Sequence, residues 1–287
     1  MNKKELLSNS VISKYVDYLS VLISGEQFAH AYQITHKSWL KNHKDKFQGS
    51  SIWSCNSLIN ARDKYWWFGG ISENQAQLAL LSQGIKTALA NEDHHAVFLN
   101  TVKILDWGQV FRGCLSYVVE AHEKFKLTKV INESVALLES EESTSLDEFT
   151  KKLRMDSGMT KVYSLASHSS IIYDSRVASA LTLIAYRVLS ESEVQEISQF
   201  DLLAVGSAPS GNKRNRINGK SLTARKLKPG KTQARYNLIA NWLLGEAILR
   251  LDDVTKTCGL WSVNDEKELL GHIEASLFMI GSDISAG

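Results

Sequence analysis

The sequence predicts an all-α, mostly helical fold, and three observations carry the prediction. Only two prolines, Pro209 and Pro229, occur in 287 residues, and proline interrupts helix interiors. Apolar residues recur at helical spacing through most of the chain. Strand signals are sparse, with Asp201 to Ser207 the one short candidate. At 44% hydrophobic residues, 22% charged and a formal net charge of +2, the chain is too apolar and too weakly charged for disorder. Its length leaves room for a buried core in one large or two small domains.

The elements follow in order. Leu6 to Ile23 has helical periodicity and Gly25 ends it. His30, His36 and His43 are six and seven residues apart. Metal-binding histidines on one helix sit three or four apart, so these three read as surface or core residues. Tyr65-Trp66-Trp67-Phe68 is the densest aromatic cluster and runs into Gly69-Gly70. Ser72 then caps a helix, with Gln75 completing a capping box. That helix reaches about Ala90, with Ala76, Leu80, Ile85 and Leu89 on its apolar stripe. A further helical run covers His95 to about His122, through Trp107-Gly108. Residues 139–145 form an acidic, polar connection, after which Asp147 and Glu148 suit the first turn of a new helix.

The organisation expected is an N-terminal helical subdomain, 1–145, and a second subdomain, 146–287, containing a basic segment, 202–245. No Asp or Glu lies between Leu202 and Gly245, whereas Lys213, Arg214, Arg216, Lys220, Arg225, Lys226, Lys228, Lys231 and Arg235 do. The remaining 24 basic and 31 acidic residues net −7. A segregated basic patch on an otherwise acidic chain attracts a polyanion. No run of about 18 apolar residues suits a membrane span, and the Met1-Asn2-Lys3-Lys4-Glu5 start turns polar too soon for a secretory signal. Cys55, Cys114 and Cys258 are far apart, giving neither a disulfide framework nor a paired-cysteine metal site. A cytoplasmic protein with no metal, no cofactor and no obligate protein partner is the expectation.

The segment richest in chemistry is Phe149 to Leu181. It parses as helix, tight turn, helix, extended link, helix. In the turn Asp156-Ser157-Gly158-Met159, Gly158 tolerates unusual dihedrals and Ser157 exposes its amide. Amides at the start of the following helix suit a phosphate. Lys161 opposes the dipole of that helix, which suggests a nearby anion or a lowered pKa. Ser167-His168-Ser169-Ser170 stops the helix, and Ile171-Ile172-Tyr173 is a short buried link. Asp174 is the N-cap of the next helix, whose buried face holds Val177, Leu181, Ile184 and Val188. Further on, Ala234 to Leu249 reads as a docked helix with Arg235 and Asn241 as its notable polar positions.

This arrangement resembles the helix-hairpin-helix superfamily of DNA glycosylases, specifically the 8-oxoguanine glycosylase branch. Those enzymes carry a Gly-Val-Gly-Thr-Lys-Val hairpin, a helix, and an aspartate opening the next helix. Ser157-Gly158-Met159-Thr160-Lys161-Val162 lies on that hairpin, with Ser157 and Met159 replacing two glycines. The resemblance puts Lys161 on the nucleophilic lysine. Ile172-Tyr173-Asp174-Ser175-Arg176-Val177 resembles the family's Val-Asp-x-His-Val and puts Asp174 on the catalytic aspartate. The chain is also similar to bacterial glycosylase-like proteins, some implicated in antiphage defence, that carry Thr-Lys-x-Tyr-Ser and Ile-Tyr-Asp-Ser-Arg-Val.

The resemblance implies a helix-hairpin-helix architecture with a cleft between helical subdomains. It implies a DNA glycosylase that flips a damaged or modified base out of double-stranded DNA and cleaves its N-glycosidic bond. Oxidised guanine, or a phage-modified base such as glucosylated hydroxymethylcytosine, would be its target. A lysine nucleophile would add lyase activity through a Schiff base. Ser157, Gly158, Lys213, Arg214, Arg216, Arg225 and Lys226 are the expected DNA contacts. Trp66, Trp67 and Tyr173 are the base-stacking candidates. The alternative is a non-catalytic helical DNA-binding protein, for which Lys161 and Asp174 are ordinary residues.

Overall fold

The structure, a computed structural model, describes residues 1–35, 37–46, 49–67, 69–111, 113–206 and 214–286. The chain opens with α1 (Lys3–Leu7), α2 (Ser10–Ile23), β1 (Gln27–Gln33), α3 (Lys37–Lys46), β2 (Ile52–Ser57) and α4 (Leu58–Asp63). It continues through α5 (Ile71–Ala90), α6 (His94–Trp107), α7 (Leu115–Glu123), α8 (Leu127–Leu138), a 3-10 turn (Thr144–Asp147), α9 (Glu148–Lys151) and α10 (Met159–Ala166). After α11 (Ser175–Val188) and α12 (Glu191–Ser198) come four two-residue strands, β3 (Ala204–Val205), β4 (Arg216–Ile217), β5 (Lys220–Ser221) and β6 (Arg225–Lys226). Three helices close the chain: α13 (Lys231–Leu249), α14 (Val254–Trp261) and α15 (Glu266–Ile280).

The fold is mostly helical, as expected, but β1 and β2 and the two-residue β4, β5 and β6 were not anticipated. β1 and β2 pair antiparallel, with Tyr32 opposite Trp53 and His30 opposite Cys55. Phe28, His30 and Tyr32 alternate inward along β1, and Trp53 and Cys55 along β2. That period of two is the strand signature, carried here by glutamine, alanine and histidine, which mute it. The expected strand at 201–207 is realised only at Ala204–Val205, which pairs parallel with β6; Ser207 and His36 lie outside the described residues. The first expected helix is two, because the Asn9 carboxamide accepts the Val11 and Ile12 amides and restarts the helix as α2. The 95–122 run is also two helices, since α6 stops at Trp107. α5 begins at Ile71, one residue before the expected Ser72 cap.

Two compact units result. The first holds 1–3, 72–174 and 228–241, and the second holds 4–71, 175–227 and 242–287. The sequential division at 145/146 therefore does not describe them: each unit is assembled from separate stretches, and α13 passes from one to the other after Asn241. In the first unit α10 is the central helix, buried along its whole length, as a helix enclosed on all sides must be. Ile104 and Leu105 of α6, Val118 of α7 and Ile131 of α8 are fully buried in the same unit. Three buried polar groups are tied in: Trp107 Nε1 donates to Asn74 at 3.0 Å, Tyr163 donates to the Arg154 carbonyl at 2.8 Å, and Thr101 donates to the Val97 carbonyl at 2.8 Å.

In the second unit, buried rings reach across helices to backbone carbonyls. Tyr15 donates to Leu181 at 2.8 Å, Tyr32 to Met279 at 3.0 Å and Trp261 to Ile23 at 2.8 Å. The first turn of α11 is closely enclosed. A side chain at Gly206 would meet Ser175 Cβ at 1.9 Å, and one at Gly281 would meet the Arg176 carbonyl at 1.8 Å. Among the described residues, no helix is long and apolar enough to cross a membrane.

Two buried histidines make the second unit acid-sensitive. Burial pushes His30 down to about 4, with Arg187 adding to the effect while its bond to the Asp283 carbonyl opposes it. Burial and then the Arg62 guanidinium bring His272 to about 4. Unfolded imidazoles titrate at 6.5, so between pH 6.5 and about 4 the unfolded chain binds more protons than the folded one. This stability is complete above 6.5 and is lost as pH falls towards 4. Urea unfolding should show a lower midpoint at pH 4.5 than at pH 7; equal midpoints would show that neither histidine is held neutral.

Candidate functional site

The residues picked out between 149 and 174 lie in the first unit, and its polar core explains how they are held. After α10 the chain must turn and extend through residues 170–173, which are buried and form neither helix nor strand. Buried amides and carbonyls need partners. Gln233, Asn237 and Asn241 supply them, at positions i, i+4 and i+8 on one face of α13. Gln233 Nε2 donates to the Tyr173 carbonyl at 3.0 Å and Asn237 Nδ2 to the Ile171 carbonyl at 3.3 Å. The Ile171 amide donates to Asn241 Oδ1 at 3.1 Å, and Asn241 Nδ2 donates to Ser170 Oγ at 3.1 Å and to the Leu138 carbonyl at 3.2 Å. The two asparagines are themselves joined at 3.3 Å.

Thr160 links this ladder to α10. Its hydroxyl donates to Asn237 Oδ1 at 3.2 Å and accepts the Tyr173 amide at 2.9 Å. The residue before Lys161 is thus bonded to the residue before Asp174. Thr160 and Asn237 are both fully buried. Glu139 secures the other end of the link, accepting Ser167 Oγ at 2.6 Å and the His168 amide at 2.7 Å. Burial alone raises the Glu139 carboxyl, but those donors hold it below the ordinary carboxylate value.

Lys161 is only 6% exposed. Its ammonium turns back along α10 to donate to the Ser157 carbonyl at 2.9 Å. Its stem passes against Gly108, where an added Cβ would lie 2.5 Å from Lys161 Cδ. The glycine after Trp107 therefore ends α6 and leaves room for this side chain. Asp174 is half-buried and ends the 72–174 stretch of the first unit.

The turn before α10 departs from the expectation. The Asp156 carboxylate closes it from within, accepting the Gly158 amide at 2.9 Å and the Met159 amide at 3.0 Å through Oδ1. Cys114 Sγ donates to the same oxygen at 2.9 Å, and Arg154 holds the other. Burial works against this charge, but the Cys114, Met159 and Arg154 bonds keep Asp156 below the ordinary carboxylate range. Negative charge at this helix end therefore comes from Asp156. Gly158 is buried, and a side chain there would meet Cys114 Sγ at 2.4 Å. Its amide is already satisfied, so the reading of Gly158 as a phosphate-holding amide is corrected; Ser157 is exposed.

Two further candidates are structural. Tyr173 is 1% exposed, so its ring is not open for stacking on a base. Arg214 is 3% exposed, with Nε donating to the Ser282 carbonyl at 3.1 Å and Nη1 to Ser175 Oγ at 2.8 Å. It braces α11 to the C-terminal segment within the second unit, where a phosphate contact had been expected. Of the expected contacts, Arg216, Arg225 and Lys226 are exposed, all in the second unit. Arg225 pairs with Asp201 at 2.8 Å. Lys213 lies outside the described residues. The Asn218-Gly219 pair, with φ of 49° and 79°, turns β4 into β5. Left-handed dihedrals at both positions mark a type I′ hairpin. Trp66 and Trp67 are half-buried beside Trp39.

Among the described residues, no group of three or more His, Cys, Asp or Glu side chains could hold a metal ion. Comparisons of the chain with protein-family models, with curated proteins and with solved structures found no match.

The ladder leads to a stability test. Asn237→Leu leaves the Thr160 hydroxyl and the Ile171 carbonyl without their partner, and a buried polar group left unsatisfied costs about 1–3 kcal/mol. Thermal unfolding should fall by several degrees, whereas Asn132→Leu, at an exposed position whose side chain is not part of the ladder, should change it little. Equal effects of the two substitutions would remove the ladder from the account.

Proposed function

We propose that the protein is a DNA glycosylase acting on a damaged or modified base in double-stranded DNA, with the helix-hairpin-helix architecture that the sequence resemblance implies. The supporting observation is the Thr160–Tyr173 bond, which ties the Thr-Lys hairpin to the segment delivering Asp174. In this reading the Asp174 carboxylate stabilises the positive charge that develops on the sugar as the glycosidic bond breaks. Lys161, once deprotonated and released from the Ser157 carbonyl, attacks C1′ as the base departs. Base extrusion precedes both steps. Arg216, Arg225 and Lys226 contact phosphates, which position the duplex without reading its sequence.

One observation favours a second reading, a non-catalytic helical DNA-binding protein: the Lys161 ammonium is almost enclosed and bonded to the turn that precedes its own helix. Base release separates the two. Duplexes carrying single modified bases, together with phage genomic DNA, should yield abasic sites that alkali cleaves. Asp174→Asn should abolish this by at least about a hundredfold, the scale of a lost charge-stabilising group, and leave DNA affinity unchanged. Lys161→Gln should prevent trapping of a covalent complex by borohydride. DNA binding with no released base from any substrate would support the second reading.

The basic segment has its own test. Replacing Arg216 and Lys226 together by alanine should flatten the dependence of log affinity on log salt by about 2, since each lost phosphate contact removes about 0.9. The loss should be equal on modified and unmodified duplex. An unaltered slope would mean that these two side chains do not meet DNA.

A further inference from the structure

Two helices of the second unit enclose a cavity of about 710 Å³, a size at which small-molecule sites occur. One wall is a single face of α2, where Asp17, Ser20, Val21 and Ser24 follow one another at i, i+3, i+4 and i+7. The other wall is a face of α14 and its N-cap, where Asp253, Lys256, Thr257 and Leu260 have the same spacing. Such spacing keeps side chains on one side of a helix. Seven residues of rise on each wall make the groove about 10 Å long.

Both ends of the groove are fastened. At one end Arg250, in the link between α13 and α14, donates to Asp17 at 2.8 Å, to Ser13 Oγ at 2.8 Å and to Glu246 at 3.0 Å. At the other end Trp261 donates to the Ile23 carbonyl at 2.8 Å. Leu260 comes so close there that a side chain at Gly25 would lie 2.9 Å from its Cδ2. Gly25 has a φ of 107°, which glycine alone adopts readily.

The lining changes character along this length. Asp252 and Asp253 join Asp17 at the Arg250 end, whereas Val21 and Leu260 lie towards the Gly25 end, 45% and 51% exposed. Arg250 is spent on Asp17 and Glu246, so it does not neutralise the other two acids. Asp253 uses one oxygen to cap α14. Asp252 is exposed and has no hydrogen bond or ion pair among the described residues. With the Arg250–Asp17 pair set aside, the lining holds these two acids against Lys256. Ser20, one turn along from Asp17, is 6% exposed, and its hydroxyl makes no hydrogen bond among the described residues. A buried hydroxyl needs a partner, and the cavity is where one can enter. No group of three or more His, Cys, Asp or Glu among the described residues could hold a metal ion, so the acidic end does not close on a bare metal.

We propose that this groove binds a small amphiphilic amine. Asp252 and Asp253 hold the ammonium, Ser20 accepts a further hydrogen bond from it, and the apolar tail covers Val21 and Leu260. The site lies apart from Lys161 and Asp174, and the proposal does not require that any glycosidic bond be cleaved.

Hexylamine, hexanol and hexanoate carry one tail with three head groups, and each is titrated into the isotope-labelled full chain while amide resonances are followed. Hexylamine should shift the amides of Ser20, Val21, Leu251 and Leu260 to a plateau. Hexanol should bind about tenfold more weakly, the scale of one charge-assisted hydrogen bond, and hexanoate more weakly still. Asp252→Asn should weaken hexylamine about tenfold and leave hexanol unchanged. Val21→Lys, which sets a positive charge in the apolar end, should weaken both. Both positions are exposed, so the variants keep the fold and either decides alone. Hexanoate bound as tightly as hexylamine, unaltered hexylamine affinity in either variant, or shifts that never saturate at the groove would overturn the proposal.

Discussion

A buried stretch of chain that is neither helix nor strand must still satisfy its amides and carbonyls, and the Gln233–Asn237–Asn241 ladder does this for residues 170–173. The first unit depends on this arrangement. Three carboxamides one turn apart present donors and acceptors to an extended backbone much as a neighbouring strand would. Because they sit on one rigid helix, the link they hold has a fixed length and direction. Thr160 extends the same network into α10, so the segments carrying Lys161 and Asp174 are positioned by one set of buried hydrogen bonds. In a low-dielectric interior each of these bonds is strong when made and costly when lost. The network therefore specifies one geometry.

The same logic explains why several candidate contacts turn out to be internal. Asp156 satisfies the Gly158 and Met159 amides before any external anion could. Arg214 spends its guanidinium on Ser175 and Ser282, fixing the first turn of α11 that Gly206 and Gly281 already enclose. Tyr173 is buried beside the Asp174 it precedes. These residues hold neighbouring parts of the chain, while Arg216 and Lys226 are among the exposed cations of the basic segment.

Much of the helical plan was legible because amphipathic periodicity reports burial directly. The stop at Ser167–Ser170 and the buried link after it were read correctly from local chemistry. The antiparallel β1–β2 pair was missed because its alternation runs through Gln27, Ala29, His30 and Ala31, residues with little strand preference. The Asn218-Gly219 turn was a visible hairpin signal that the surrounding charge obscured. Asn241 stood out together with Arg235, although its repeat with Gln233 and Asn237 at four-residue spacing was the informative pattern. The fates of Arg214 and Gly158 were not legible at all, because their partners, Ser282 and Cys114, lie 68 and 44 residues away in the chain.

The central claim is that side chains of α13 and α10 hold the 170–173 link as firmly as regular secondary structure would. Amide hydrogen exchange at Ile171 and Tyr173 measures this directly, since protection reports the free energy of the opening that exposes each amide. The account predicts that both exchange only through global unfolding, at the same free energy as the core amides of α10. Exchange of either amide through a low-energy local opening, with α10 still protected, would contradict it.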